Sequence, residues 1–195
     1  TGARPVEWLL DNAMVDSRWC LIHATHMTEA ETRDLAATGA VAGLCPETEG
    51  TLGDGIFNGR LFVEHRGRFG IGTDSNVSLD AAQELRQLEY AQRLAWRRRN
   101  VLVGNDGRST GRSLFDAAIV GGSQALAVPG AGLATGAIAD LVTFRRDHPS
   151  LAGLDGDALI DAWIFSADRS AIDCVWAAGR KCVEAGRHHQ REALE

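Results

Sequence analysis

Short, almost entirely apolar runs recur in the first part of the chain, and each ends abruptly in polar residues or proline. They lie at residues 19–24, within a predicted strand 15–24, and at residues 40–45 and 69–73. A run without polar alternation is typical of a strand buried on both faces, as in a parallel sheet. We therefore predict three parallel strands here.

Helical patterns alternate with these strands. Thr28 followed by Glu31 three residues later forms a capping box, so a helix is predicted to begin there and to end near Gly39. Strands that alternate with helices predict the α/β class. Further helices are predicted at residues 5–12, 61–63, 80–99 and 113–126, the last with Ser113 and Asp116 near its start.

Two segments depart from this alternation. Residues 47–55 (ETEGTLGDG) are polar and rich in glycine, and we predict a long loop that contributes to a site. A turn is predicted at 105–107. From residue 129 onward the pattern changes to a strand at 139–144, a helix at 157–165 and a hairpin at 172–184. The predicted domains are therefore a barrel portion, 1–128, and a small β appendage with a helix, 129–195.

The length of the chain limits how much of a barrel it can form. A complete (β/α)8 barrel needs roughly 250 residues, and this chain has 195, with three barrel-type strands. The chain also opens at Thr1 without a methionine, which favours a fragment or a processed piece. We expect upstream residues or a partner to cover the open strand edges.

Charge and composition argue against two classes of partner. A net charge of −6 and a pI near 5.5 argue against nucleic acid as a partner. The arginine run 97–99 is interpreted instead as complementing the helix dipole in a predicted last helical turn. No apolar run is long enough to span a bilayer. The four cysteines show no CxxC spacing, which predicts free thiols in a reducing cytoplasm.

Two residues are candidates for catalysis because each ends a buried strand. His23 and Asp74 would lie at the carboxyl ends of parallel strands, where (β/α) barrels carry reactive residues. The alternatives are a hydrogen-bonded structural histidine and an Asx turn at Asp74 that caps the next helix. Glu49, Ser75 and His26 are predicted substrate contacts. By spacing alone, the set His23, Glu49, Asp54 and Asp74 does not establish a zinc site.

Four stretches together resemble a known family: LIHATH, GAVAGLCPETEGTLGDGIF, GRFGIGTDSNVSLDAAQELRQLEYAQRL and GLATGAIADLVTF. They are similar to the C-terminal part of the amidohydrolase superfamily, and within it to the N-formimino-L-glutamate deiminases of histidine degradation. The resemblance implies a distorted (β/α)8 barrel with a small β-sandwich and one catalytic Zn2+ per full-length subunit. It also implies a homodimer.

The resemblance implies roles for particular residues. Asp74 is similar to the zinc ligand of the eighth strand, and it would accept a proton from the attacking water. His23 resembles the sixth-strand histidine that hydrogen-bonds the reacting group. The remaining metal ligands would lie upstream, so this chain alone is expected to be inactive. Thr51 and Asn76 depart from the family pattern, which has asparagine and histidine there.

The implied reaction is hydrolysis of formiminoglutamate to N-formyl-L-glutamate and ammonia. One alternative keeps the fold and changes the substrate, to that of a guanine- or cytosine-type deaminase or a chlorohydrolase. The LGDG loop is small and carries no aromatic residue of its own, which argues against a stacking pocket for a flat base. The other alternative is a non-catalytic partial barrel.

Overall fold

The computed structural model describes residues 2–104, 106–128 and 132–194. Asn105, which belongs to the predicted turn at 105–107, lies outside the described residues. The predicted domain boundary at 128/129 lies at the start of the second gap, so it is not described either. The helices are α1 (Pro5–Asn12), α2 (Glu29–Thr38), α3 (Pro46–Leu52), α4 (Gly59–Glu64), α5 (Ala81–Trp96), α6 (Thr110–Ala125), α7 (Gly156–Phe165) and α8 (Arg191–Leu194). The strands are β1 (Cys20–Ile22), β2 (Val41–Leu44), β3 (Arg68–Ile71), β4 (Leu141–Phe144), β5 (Ile172–Ala177), β6 (Arg180–Glu184) and β7 (Arg187–His188).

The first three strands form a parallel sheet in the order β1-β2-β3. The predicted α/β class and the predicted parallel pairing are both confirmed. Strand β1 is shorter than the predicted 15–24, because Asp16 and Arg18 close a local turn through a 2.7 Å ion pair before the strand begins. Strand β2 is buried along most of its length, as its uninterrupted apolar run predicted.

The predicted loop at 47–55 is wrong for most of its length, because α3 occupies Pro46–Leu52. Pro46 stands at the first helical position, where its fixed φ suits a helix and its missing N–H costs nothing. Glu47 and Glu49 complement the helix dipole in the first turn. Gly53 ends the helix with a left-handed φ of 71°.

Helices α5 and α6 also differ from their predicted bounds. Helix α5 begins after Asp80, whose carboxylate accepts from the N–H groups of Ala82 and Gln83, and it ends at Trp96. Arg97 has a left-handed φ of 52°, so the arginine run 97–99 follows the helix instead of completing its last turn. Helix α6 begins at Thr110 under a Ser109 cap, one turn earlier than the predicted start at Ser113.

The last part of the chain forms a separate antiparallel sheet in the order β4-β5-β6-β7. The predicted hairpin is confirmed, with β5 and β6 paired around the turn at 178–179. Helix α7 packs against α5 and α6, which join this part of the chain to the parallel sheet. Among the described residues, no helix is both long enough and apolar enough to cross a membrane. All four cysteines are free, as predicted.

Candidate active site

His23 follows β1 in an unusual backbone conformation. Its φ is 64° and that of Ala24 is 48°, a left-handed region that non-glycine residues seldom occupy. The His23 N–H still donates to the Gly43 carbonyl at 2.8 Å, so the residue remains attached to β2 while the chain turns away. Such backbone costs on the order of 1–3 kcal/mol and is concentrated at functional sites.

Asp74 follows β3 in the same way, with a φ of 46°. Its Oδ2 lies 3.8 Å from His23 Nε2, and the two side chains are 38% and 37% exposed. The alternative interpretation of Asp74 as the cap of the next helix is wrong, because Asp80 caps α5. The structure therefore brings the two predicted catalytic residues together at the carboxyl end of the parallel sheet.

Glu49 fixes the orientation of the His23 ring. Its Oε1 accepts from the Cys45 N–H at 2.9 Å and lies 3.1 Å from His23 Nδ1, and its side chain is only 6% exposed. Because a carboxylate accepts hydrogen bonds, the Glu49 contact favours the tautomer that carries its hydrogen on Nδ1. The lone pair is then on Nε2, which faces Asp74. Glu49 lies against the imidazole, and its predicted contact with substrate stays a prediction.

Cys45 is a member of this group that sequence reasoning missed. One ring nitrogen of His23, the Cys45 Sγ and a carboxylate oxygen of Asp74 all lie within 4.8 Å of one another. Burial, together with the charges of Glu49 and Asp74, raises the pKa of the Cys45 thiol to about 11, so the thiol is neutral at pH 7. Its place immediately after β2, between the strands that end in His23 and Asp74, is the signal that could have identified it.

The other predicted site residues lie around this group. His26 is exposed, its carbonyl accepts a hydrogen bond from the Arg4 guanidinium, and its ring is near Gly55. Ser75 is exposed and its hydroxyl is 3.4 Å from Asp74 Oδ1. Among the described residues, Asp54 does not join the convergent donors. The structure thus places Ser75 beside the central pair and His26 on a neighbouring loop.

The two positions that depart from the family pattern have local partners. The Thr51 hydroxyl donates to the Thr48 carbonyl at 3.1 Å. The Asn76 carbonyl oxygen accepts from the Ser78 N–H at 2.8 Å, while Asn76 Nδ2 is buried with no hydrogen-bond partner in the part of the chain that the structure describes. An unpaired buried amide is costly. Of the two residues that depart from the family pattern, Asn76 therefore has the less complete hydrogen bonding.

Glu84 anchors the helix that carries Glu49. Its Oε2 accepts from the Glu47 N–H at 2.9 Å and so anchors the first turn of α3, the helix that carries Glu49. Its other oxygen, Oε1, is buried and has no partner among the described residues. Burial raises the pKa of this carboxyl to about 7, with a smaller contribution from the charges of Glu47 and Glu49.

This raised pKa predicts that stability falls as pH rises. Between about pH 4.5 and 7 the unfolded chain has lost the Glu84 proton and the folded chain retains it, so the free energy of unfolding declines through that window and is level above it. The expected decline is on the order of 3 kcal/mol. Urea unfolding at several pH values would measure it in the wild type and in Glu84→Gln.

Glu84→Gln keeps an acceptor for the Glu47 N–H and removes the titration, so its profile should be flatter. Glu29→Gln, on the exposed face of α2, serves as the matched control and should reproduce the wild-type slope. Equal slopes in the wild type and Glu84→Gln would show that Glu84 does not titrate in this window.

Comparison with known proteins places this geometry in a family. The sequence profile of the Amidohydrolase family matches residues 2–182. The chain is 50% identical over 192 residues to formimidoylglutamate deiminase of Pseudomonas aeruginosa, covering 98% of this chain and 42% of that protein. It is 25% identical over 183 residues to the 5-methylthioadenosine/S-adenosylhomocysteine deaminase of Pyrococcus abyssi, covering 91% of this chain and 40% of the relative.

Solved structures agree with the sequence matches. An amidohydrolase from Brucella melitensis superposes with a TM-score of 0.93 at 53% identity, covering 99% of this chain and 42% of that one. A zinc-bound adenosine deaminase from Xanthomonas campestris shares the fold, with a TM-score of 0.85 at 24% identity, covering 99% of this chain and 43% of that one. The chain therefore spans less than half the length of these relatives. With the profile matched from residue 2 to residue 182 and the strand ends arranged as described, this chain belongs to the amidohydrolase family.

Proposed function

We propose that this chain is the C-terminal part of a metal-dependent hydrolase that converts N-formimino-L-glutamate and water to N-formyl-L-glutamate and ammonia. The observation that carries the proposal is the 50% identity to the P. aeruginosa formimidoylglutamate deiminase over nearly the whole chain. The convergence of His23 and Asp74 adds a pair of groups that can position the substrate and move a proton.

The proposal includes a fold that this chain completes only in part. Residues 1–128 would supply the last three strands and helices of a distorted (β/α)8 barrel, and residues 129–195 part of a small β-sandwich. In support, β1 and β3 each pair on one edge only within the described parallel sheet. The intact protein would be a homodimer in the cytoplasm, and the chain alone would be inactive.

The residues present fit a divalent metal ion. Nδ1 of His23 is engaged with Glu49, and Nε2 is 3.8 Å from Oδ2 of Asp74, the carboxylate that would hold the ion. Asp74 would hold the Zn2+, together with residues from the upstream barrel half. When bound, zinc lowers the pKa of water towards ~7 and so supplies the nucleophile at neutral pH.

The chain's own residues would do the remaining work. As the water oxygen bonds to the formimino carbon, Asp74 accepts a proton from the water. His23 Nε2, held by Glu49, would accept a hydrogen bond from an N–H of the reacting group and so stabilise the tetrahedral intermediate. The proton taken up by Asp74 and the remaining hydrogen of the water oxygen pass to the terminal nitrogen, the bond from carbon to that nitrogen breaks, ammonia leaves, and the new oxygen becomes the formyl carbonyl. Ser75 and His26 would line the substrate side.

Ammonia release distinguishes the substrates. The polypeptide that contains this chain and its upstream half would be assayed with N-formimino-L-glutamate, guanine and 5-methylthioadenosine, with N-formyl-L-glutamate identified by mass spectrometry. We expect kcat/KM for formiminoglutamate to exceed that for either base by at least about 10²-fold. Preferential release from a base would favour the other deaminases, and no release from any of the three would favour the non-catalytic alternative.

A further inference from the structure

The group formed by His23, Cys45 and Asp74 contains a donor that the proposed hydrolysis does not use. Each residue stands at the carboxyl end of a different strand of the parallel sheet, and their donor atoms lie within 4.8 Å of one another. One donor is an imidazole nitrogen, one a sulfur and one a carboxylate oxygen. These are the three donor types that protein zinc sites combine.

The imidazole is prepared for coordination by its other nitrogen. Glu49 is buried and accepts the Nδ1 hydrogen at 3.1 Å, which leaves the Nε2 lone pair on the side of Asp74, whose Oδ2 is 3.8 Å away. Metal-ligating histidines commonly donate their second ring nitrogen to a carboxylate in this way. The same Glu49 oxygen accepts from the Cys45 N–H at 2.9 Å, so one buried carboxylate positions two of the three donor residues.

A buried cysteine often acts only as a small apolar side chain. Cys45 differs because its sulfur lies within 4.8 Å of the donor atoms of His23 and Asp74. Both of those side chains are partly exposed to solvent. A thiolate is a soft ligand that favours zinc-group cations over hard cations such as Mg2+ or Ca2+. The ion would approach the buried thiol past the His23 and Asp74 side chains, which are partly exposed.

We propose that His23, Cys45 and Asp74 bind one thiophilic divalent cation of the Zn2+ and Cd2+ class through Nε2, Sγ and a carboxylate oxygen. The Cys45 thiol releases its proton to solvent as it coordinates the ion. The site needs no residue outside this chain, and it rests on the donor geometry instead of on any substrate. An ion held here occupies His23 Nε2 and Asp74 together, so excess thiophilic metal inhibits the hydrolysis proposed above.

Cadmium titration tests the site through the sulfur itself. CdCl2 is added to the purified protein in a thiol-free buffer, and the ultraviolet thiolate-to-cadmium charge-transfer absorption is recorded. The wild type should develop the band up to one equivalent. Cys45→Ser should lose it, and Cys182→Ser, which alters a thiol in the second sheet, should keep it. Glu49→Gln should weaken cadmium binding by roughly 10–100-fold while leaving the saturated band intact.

X-ray absorption at the cadmium edge of the wild-type protein needs no variant and covers the case in which Cys45→Ser does not fold. One sulfur neighbour per cadmium is expected. A band that persists in Cys45→Ser, or cadmium without a sulfur neighbour, overturns the proposal. Ammonia release is measured separately. If the protein binds cadmium through Cys45 but does not hydrolyse formiminoglutamate, the result supports this site and contradicts the proposed function.

Discussion

In the full-length polypeptide, replacing Asp74 with asparagine is expected to lower kcat for formiminoglutamate hydrolysis by about 10²–10⁴-fold and to lower the zinc content of the protein. The proton-transfer role accounts for the loss in rate, and the loss of a negatively charged ligand accounts for the loss of zinc. Asparagine suits the test because it tolerates the left-handed backbone at this position, where φ is 46°. Ammonia release and metal analysis on the same preparation measure both effects.

The control for this experiment is Asp147→Asn. Asp147 lies on the surface in a 3.5 Å ion pair with Arg145, and exposed pairs of this kind contribute little. Its activity and zinc content should equal those of the wild type. An Asp74→Asn protein that retained zinc but lost activity would limit Asp74 to proton transfer, and one that retained both would remove Asp74 from the site altogether.

Much of the fold could be predicted from local sequence signals. The capping box at Thr28 and Glu31 is present in the structure, and the uninterrupted apolar run at 40–45 forms the central strand β2. These signals act over a few residues, so they can be recognised without knowledge of the rest of the fold. The glycine-rich composition of 47–55 misled the loop prediction, because a proline start and a left-handed Gly53 make a helix of most of it.

The candidate site was only partly predictable, because its remaining members depend on which strand ends are adjacent. His23 and Asp74 could be identified from abrupt strand ends. Cys45 joins them only because β2 lies between β1 and β3. Glu84 is distant in sequence from α3, and nothing local marks it as the acceptor for the Glu47 N–H. Sequence patterns identify strand ends, whereas sheet order and helix packing decide which side chains meet.

The contact between α6 and β3 gives the second large expected effect. Gly70 allows a close approach of the two backbones, because a Cβ at this position would lie 3.1 Å from the Gly122 Cα. The more demanding position is Gly121, since a Cβ there would lie 1.9 Å from the Phe69 carbonyl oxygen. That oxygen belongs to the backbone of β3, so it cannot move aside as a flexible side chain could.

Gly121→Ala is therefore expected to lower the free energy of unfolding by about 3 kcal/mol or more, which corresponds to a fall in Tm of roughly 6–12 °C. Gly122→Ala is the matched control, because it lies in the same helix and its Cβ would meet nothing within 4 Å. Relief of the glycine helix penalty should raise the stability of that variant by up to about 1 kcal/mol. Thermal and urea unfolding of both variants compare them directly. Equal stabilities would show that α6 can shift away from β3 without loss of stability.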